Sequence, residues 1–156
     1  MSFIVTGLQV ETFAPLIGLS DDALAAHGAV RRTAVAGGRF PCRVTLEDAP
    51  AGQTLLLVNY QHQAAATPYR SNYAIYVSEA ARETRRLQGE LPPVLRGRPI
   101  ALRAFDVDGM LLGAELALDD DVAEAIGRQF ANPVAAYLHA HNAAHGCYAA
   151  RIDRAS

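Results

Sequence analysis

Lysine is missing altogether: all 14 basic residues of the 156-residue chain are arginine. A lysine Schiff base is therefore excluded, and any buried anion has to be met by a guanidinium, whose planar fork suits a carboxylate or a phosphate. An excess of one charge is lacking too. The 16 acidic residues leave a formal net charge of -2, and the arginines show no basic stripe of the kind phosphate-backbone binding requires, so nucleic acid is not expected as a partner. No stretch approaches 18 uninterrupted apolar residues, and the opening MSFIVTGLQVETFAPL has neither a basic n-region nor a sustained apolar h-region. Neither a membrane span nor a signal peptide is read, and a cytoplasmic protein is expected. There are only two cysteines, Cys42 and Cys147, expected as thiols in a reducing compartment, although the sequence leaves a disulfide between them open. Repeats, low-complexity tracts and linkers are also absent, so residues 1–156 read as a single globular domain. At that length folding buries roughly 70% of the surface the unfolded chain exposes.

What is present is a 51% apolar, 19% charged chain patterned as a folded protein. Three short helices are predicted. In SDDALAAHG (20–28), Ser20 caps the start, Asp21 and Asp22 sit at the positive dipole end, and Gly28 stands where the helix should stop. DDDVAEAIGRQFANP (119–133) spaces Val122, Ile126 and Phe130 along one face before Pro133. SEAARETRRLQGE (78–90) carries a weak inner stripe of Ala80, Thr84 and Leu87. Strands are predicted at 30–36, 43–47, 54–60, 73–77, 100–106, 110–118, 135–141 and 147–152. Short turn signals between several of them argue antiparallel pairing. Asp108-Gly109 reads as a type I′ turn, and the Asp106/Asp108 pair lacks the remaining ligands of a calcium loop. The sum is an α+β domain: a bent antiparallel sheet of about six to eight strands with about three short helices.

Chemistry-bearing residues gather in three places. In YLHAHNAAHGCYAAR (137–151), strand alternation puts Tyr137, His139 and His141 on one face. Opposing His141 to Cys147 would group His139, His141, Cys147 and Arg151, leaving Leu138, Ala140, Tyr148, Ala150 and Ile152 on the apolar face. In FPCRVTLED (40–48), Arg43 follows Cys42. In VNYQHQAAATPYRSNYAIYV (58–77), Asn59, Tyr60, His62, Tyr69, Arg70 and Tyr73 crowd a connection between strands, a common place for a binding loop. The histidine pair matches a histidine-triad hydrolase or a cupin metal strand only in His139 and His141. There is no phosphate loop, dinucleotide fingerprint or Ser-His-Asp arrangement, and no cofactor is read.

The order PCRVTLEDA, LLLVNYQHQ, TPYRSNYAIYV, LRAFDVDGM and YLHAHNAAHGCYAARID resembles the small bacterial domain-of-unknown-function family numbered twelve-oh-three, over nearly the whole chain. The resemblance implies a single-domain bacterial protein. It implies no activity and assigns no residue a role.

The residues themselves point to an Arg/His/Tyr-lined pocket for a small carboxylate or phosphate. Arg43, His62, Tyr69, Arg70, Asn142, Cys147, Tyr148 and Arg151 are the expected ligand-binding set, with His139 and His141 as acid/base groups. Cys147 or Cys42 would act as a nucleophile only if a neighbouring His or Arg lowered its pKa. Two other readings stand beside this one. The cluster could fix a homodimer contact in a non-catalytic protein, or His139, His141 and His62 could hold a metal in an enzyme. Against the metal, the hairpin has no Asp or Glu, and Arg151 on the same face would repel a cation.

Overall fold

In the computed structural model, residues 2–156 are described. The chain is α+β. Its strands are β1 (Phe3–Thr6), β2 (Val30–Thr33), β3 (Thr54–Gln63), β4 (Ser71–Ser78), β5 (Arg86–Gln88), β6 (Ile100–Phe105), β7 (Leu111–Ala117), β8 (Tyr137–Asn142) and β9 (Tyr148–Arg154). Its α-helices are α1 (Val10–Phe13), α2 (Asp21–Ala26) and α3 (Val122–Phe130). The strands form two antiparallel sheets, a large one ordered β5-β1-β9-β8-β6-β7 and a small one ordered β2-β3-β4. The division matches two cores. One packs α3 against one face of the large sheet through Leu102, Ala140, Ile152, Ile126 and Phe130. The other packs α1 and α2 against the small sheet through Phe13, Leu24, Leu56, Val58 and Ile75.

Local sequence explains much of this. Ser20 Oγ accepts the Ala23 amide at 3.2 Å and starts α2, and Gly28 lies just beyond its end at φ 70°, where a Cβ would be strained. In α3, Val122, Ala125, Ile126 and Phe130 are buried, the stripe a surface helix presents to a core. Three expectations are corrected. Residues 78–90 form no helix. Arg86–Gln88 pair instead with Thr6–Ile4 of β1, Ala81 enters the small-sheet core, and Thr84 Oγ accepts from Val10 N and donates to the Leu8 carbonyl. Sheet pairing and burial overrule a modest helix propensity. Residues 43–47 form no strand. The Leu46 amide turns back to the Cys42 carbonyl at 3.0 Å, with Leu46 at φ 58°. This strained conformation sends Leu46 into the large-sheet core while Cys42 and Val44 enter the other. The turn at Asp108-Gly109 is not type I′, because among the described non-glycine residues only Leu46 has positive φ. Asp106 caps it instead, its Oδ1 accepting the amides of Asp108 and Met110 at 2.9 and 3.0 Å, an Asx arrangement.

Gly109 also matters for placement. At φ 82°, a Cβ on it would lie 2.4 Å from the Ala65 side chain. The β3–β4 connection can therefore settle onto this turn, where Thr67 Oγ1 donates to the Gly109 carbonyl at 3.2 Å.

The α3 stripe yields a stability prediction. Truncating fully buried Phe130 (1% exposed) to alanine removes an aromatic ring from the large-sheet core and should cost about 3–5 kcal/mol, read as a lower urea midpoint. A loss under ~1 kcal/mol would mean that α3 is not held by this stripe.

Candidate functional site

The large sheet has one apolar and one polar face. Across the three central strands the registers are Arg103↔His139 and His139↔Arg151, flanked by Phe105↔Tyr137 and Ala101↔His141. Alternation therefore carries Tyr137, His139 and His141 to the face opposite Leu138 and Ala140, as the hairpin pattern predicts. The register differs from that expected in one respect. His141 opposes Tyr148, not Cys147, and an irregularity falls between the 140 and 141 pairs. The extra residue in β9 is a β-bulge, which lets Ala149 and Ala150 both enter the core and swings Tyr148 over to the histidines.

The small sheet covers this face. A bulge in β3 between Tyr60 and Gln63 brings His62 against the cluster. Its ring stacks on Tyr148 at 5.7 Å and 14° and meets His141 edge-on at 5.0 Å. His139 touches Tyr148 at 5.2 Å, Phe105 at 5.1 Å and Tyr137 at 5.2 Å. His139 and His141 are 4% and 1% exposed. They are not at a surface waiting for a partner subunit; β3 of their own chain closes over them.

Burial determines their protonation. It pulls His139 down to about 3, aided by His141 and His62, and His141 down to about 4, opposed by its bond to Gly146. His62 is lowered by burial and by the Arg103 charge. All three are neutral at pH 7. His141 Nδ1 lies 3.0 Å from the Gly146 carbonyl, an acceptor only, so Nδ1 carries the proton and Nε2 the lone pair. Among the described residues, that Nε2 has no hydrogen-bond partner, nor do either ring nitrogen of His62 and Nδ1 of His139.

His62 and His141 line a pocket of about 290 Å³ together with Gln63, Tyr69, Ser71 and Arg103. Sequence reading missed Arg103. Its signal was an arginine in an otherwise apolar strand, IALRAF, at an alternate position that the core does not need. It makes no ion pair or hydrogen bond among the described residues, no acidic residue lines the pocket, and burial lowers its pKa. Gln63 Nε2 donates to the Tyr137 hydroxyl at 2.9 Å, and Tyr69 meets Phe105 edge-on at 6.5 Å.

The other expected site residues separate. Arg43, Asn142 and Cys147 line a different, larger cavity of about 630 Å³. Arg43 is 2% exposed and donates to the Tyr148 carbonyl at 2.8 Å, the Pro41 carbonyl at 2.6 Å and Cys147 Sγ at 3.0 Å. Asn142 Nδ2 is 3.4 Å from the same sulfur. Tyr148 lines neither cavity; burial raises its phenol. Arg151 sits 4.2 Å over the Tyr137 ring and pairs with Asp153 at 2.9 Å. Arg70 turns back to the Ala65 carbonyl at 3.3 Å and is not among the pocket walls, although its neighbours Tyr69 and Ser71 are. Cys42 and Cys147 are both free thiols. Among the described residues, no three His, Cys, Asp or Glu side chains are arranged to hold a metal ion, and none of the helices is long and apolar enough to cross a membrane.

Fold and site together define an α+β protein of two antiparallel sheets that enclose a neutral imidazole cluster beside an uncompensated guanidinium. The family model described as "Protein of unknown function (DUF1203)" matches residues 39–154, and the chain belongs to that family. Neither the curated proteins nor the solved structures contain a match.

The depressed imidazoles make stability pH-dependent. With folded pKa values near 3 and 4 against about 6.5 unfolded, protons prefer the unfolded chain. Stability is complete above pH ~6.5 and falls as the pH drops toward the folded values. At pH 5 the penalty from His139 alone is about 2 kcal/mol. Glu79, held down to about 2 by Arg31, acts in a lower window, below pH ~4.5, because its stabilisation is lost only as its carboxylate is protonated. Urea midpoints at pH 7 and 5 should differ in the wild type and converge in His139→Gln/His141→Gln; equal wild-type midpoints would refute neutral buried histidines.

Proposed function

We propose that the 290 Å³ pocket binds a small carboxylate or phosphate bearing a hydroxyl, with Arg103 holding the anionic group and His141 Nε2 accepting a hydrogen bond from the hydroxyl. The observation that carries this reading is the convergence of an unpaired guanidinium and an unpartnered, 99% buried imidazole lone pair on one pocket free of acidic walls. A buried acceptor left without a donor costs about 1–3 kcal/mol, and the half-buried Arg103 guanidinium is partly desolvated with no counter-charge among the described residues. A ligand carrying both an anionic group and an O–H group relieves the two together. A neutral imidazole already fixed as one tautomer by the Gly146 carbonyl is suited to act as a general base toward that hydroxyl. His62 supplies a second imidazole edge, and Ser71 and Tyr69 supply hydroxyls. His139, enclosed behind the pocket by Phe105, Tyr137 and Tyr148, positions His141 and does not reach the ligand. The homodimer-contact alternative receives no support from a cluster covered by its own chain, and the metal alternative none from the placement of the three histidines.

Isothermal titration with glycolate and with inorganic phosphate tests the reading. Saturable binding is expected in the wild type. Arg103→Gln should weaken it at least tenfold, about 1.4 kcal/mol, while Arg70→Gln, outside the pocket, leaves it unchanged. Because His141 stays neutral at pH 7, glycolate should bind with no net proton uptake, seen as a binding enthalpy independent of buffer. Absence of saturable binding to either anion, or an Arg103→Gln protein that binds as the wild type does, would sink the proposal.

A further inference from the structure

The 630 Å³ cavity has a different chemistry from the small pocket. Much of its wall is apolar, including Phe40, Leu57, Ile75, Tyr76 and Pro99. Its charged groups are three arginines, Arg39, Arg43 and Arg98, and no aspartate or glutamate lines it. Arg98 is neutralised by Asp48 at 2.5 Å. The other two bond only uncharged acceptors: Arg39 Nη2 donates to the Gly97 carbonyl at 3.1 Å, and Arg43 to two carbonyls and a thiol. Those three bonds occupy three of the five N–H groups of a guanidinium. Two positive charges, one of them 2% exposed, thus stand at an apolar cavity with no carboxylate paired to them among the described residues. Burying a charge this way is costly unless something answers it. The volume lies in the range of roughly 300–1,000 Å³ typical of small-molecule sites, which combine apolar walls with a few convergent polar groups.

We infer that this cavity binds an organic anion: an aromatic or medium-chain acyl body resting on Phe40, Leu57 and Tyr76, with a single carboxylate or sulfonate directed to Arg39 and Arg43. A neutral apolar molecule would leave the charges unanswered, and an inorganic anion would leave the apolar wall wet. The site is independent of the imidazole pocket, which shares none of its lining residues. Cys147 lines the cavity, whereas Cys42 does not, so the reactivity of Cys147 reports occupancy.

The test titrates the full chain with 8-anilinonaphthalene-1-sulfonate, an aromatic anion that fluoresces in apolar sites. One saturable site is expected, displaced by decanoate and not by decanol at equal concentration. Arg39→Gln, an exposed substitution, should weaken binding at least fivefold, and Ala144→Trp at the exposed rim should abolish it by filling the entrance. Arg103→Gln should leave it unchanged. Decanoate should also slow N-ethylmaleimide labelling of Cys147, followed by peptide mass spectrometry. Competition by decanol equal to that by decanoate, an Arg39→Gln protein with unaltered affinity, loss of dye binding in Arg103→Gln, or undiminished Cys147 labelling would each overturn the assignment. Because this dye and the small anions probe separate cavities, either reading can fail without the other.

Discussion

A guanidinium buried without a carboxylate joins the two halves of this molecule. Arg43 leaves the turn that follows Cys42, passes between the sheets, and bonds the backbone of β9 at Tyr148 and the thiol of Cys147. Its own amide is tied to the Tyr76 carbonyl of β4, and its carbonyl accepts from Leu8. One residue thus contacts the small sheet, the large sheet and the segment after β1. Buried charge of this kind is a weak source of net stability, because desolvation offsets much of what its bonds return. Its effect is geometric: carbonyls and a thiol at fixed distances permit one relative placement of the sheets, and both cavities inherit it.

That placement gives the polar face of the large sheet its character. Three imidazoles, two tyrosines and Phe105 pack in a mixture of stacked, tilted and edge-on contacts, arrangements that ring quadrupoles favour, in a space too dry for any imidazole to hold a proton near neutrality. The bulge in β9 is the local device. It spends one alanine to move Tyr148 from the apolar side, where simple alternation would leave it, to the side where it stacks on His62. Without it the cluster would lack the ring that three histidines touch.

Periodicity made several elements legible: the Ser20 cap, the Val122/Ile126/Phe130 stripe, the alternation that aligns His139 with His141, and the α+β class. Arg43, His62 and Cys147 stood out as residue types a strand does not require. What was not legible depends on long-range pairing. The segment 78–90 carries helix-forming residues, yet β1 recruits Arg86–Gln88 as a strand. Leu46 adopts a conformation that no local signal announces, because the reason for it is that Val44 and Leu46, which strand alternation would place on one face, enter two different cores. The partition of the expected site residues into two cavities follows from the position of β3, and a two-residue alternation has no means of encoding it. Arg103 was hidden by its neighbours, since a strand of Ile100, Leu102 and Ala104 reads as core and directs the eye to the wrong face.

The seam between the sheets also has a place in time. Arg43 reaches partners 104 and 105 positions further along the chain, and His62 stacks on Tyr148 from β3. Contacts of such sequence separation form only after the entropy of closing a long loop has been met, which slows folding. On a ribosome the small sheet and its helices emerge well before β9. Until the β8–β9 hairpin arrives, Arg43 lacks its Tyr148 and Cys147 partners and its guanidinium must remain hydrated. The bonds by which Arg43 fixes the two sheets against each other therefore close only with the final hairpin.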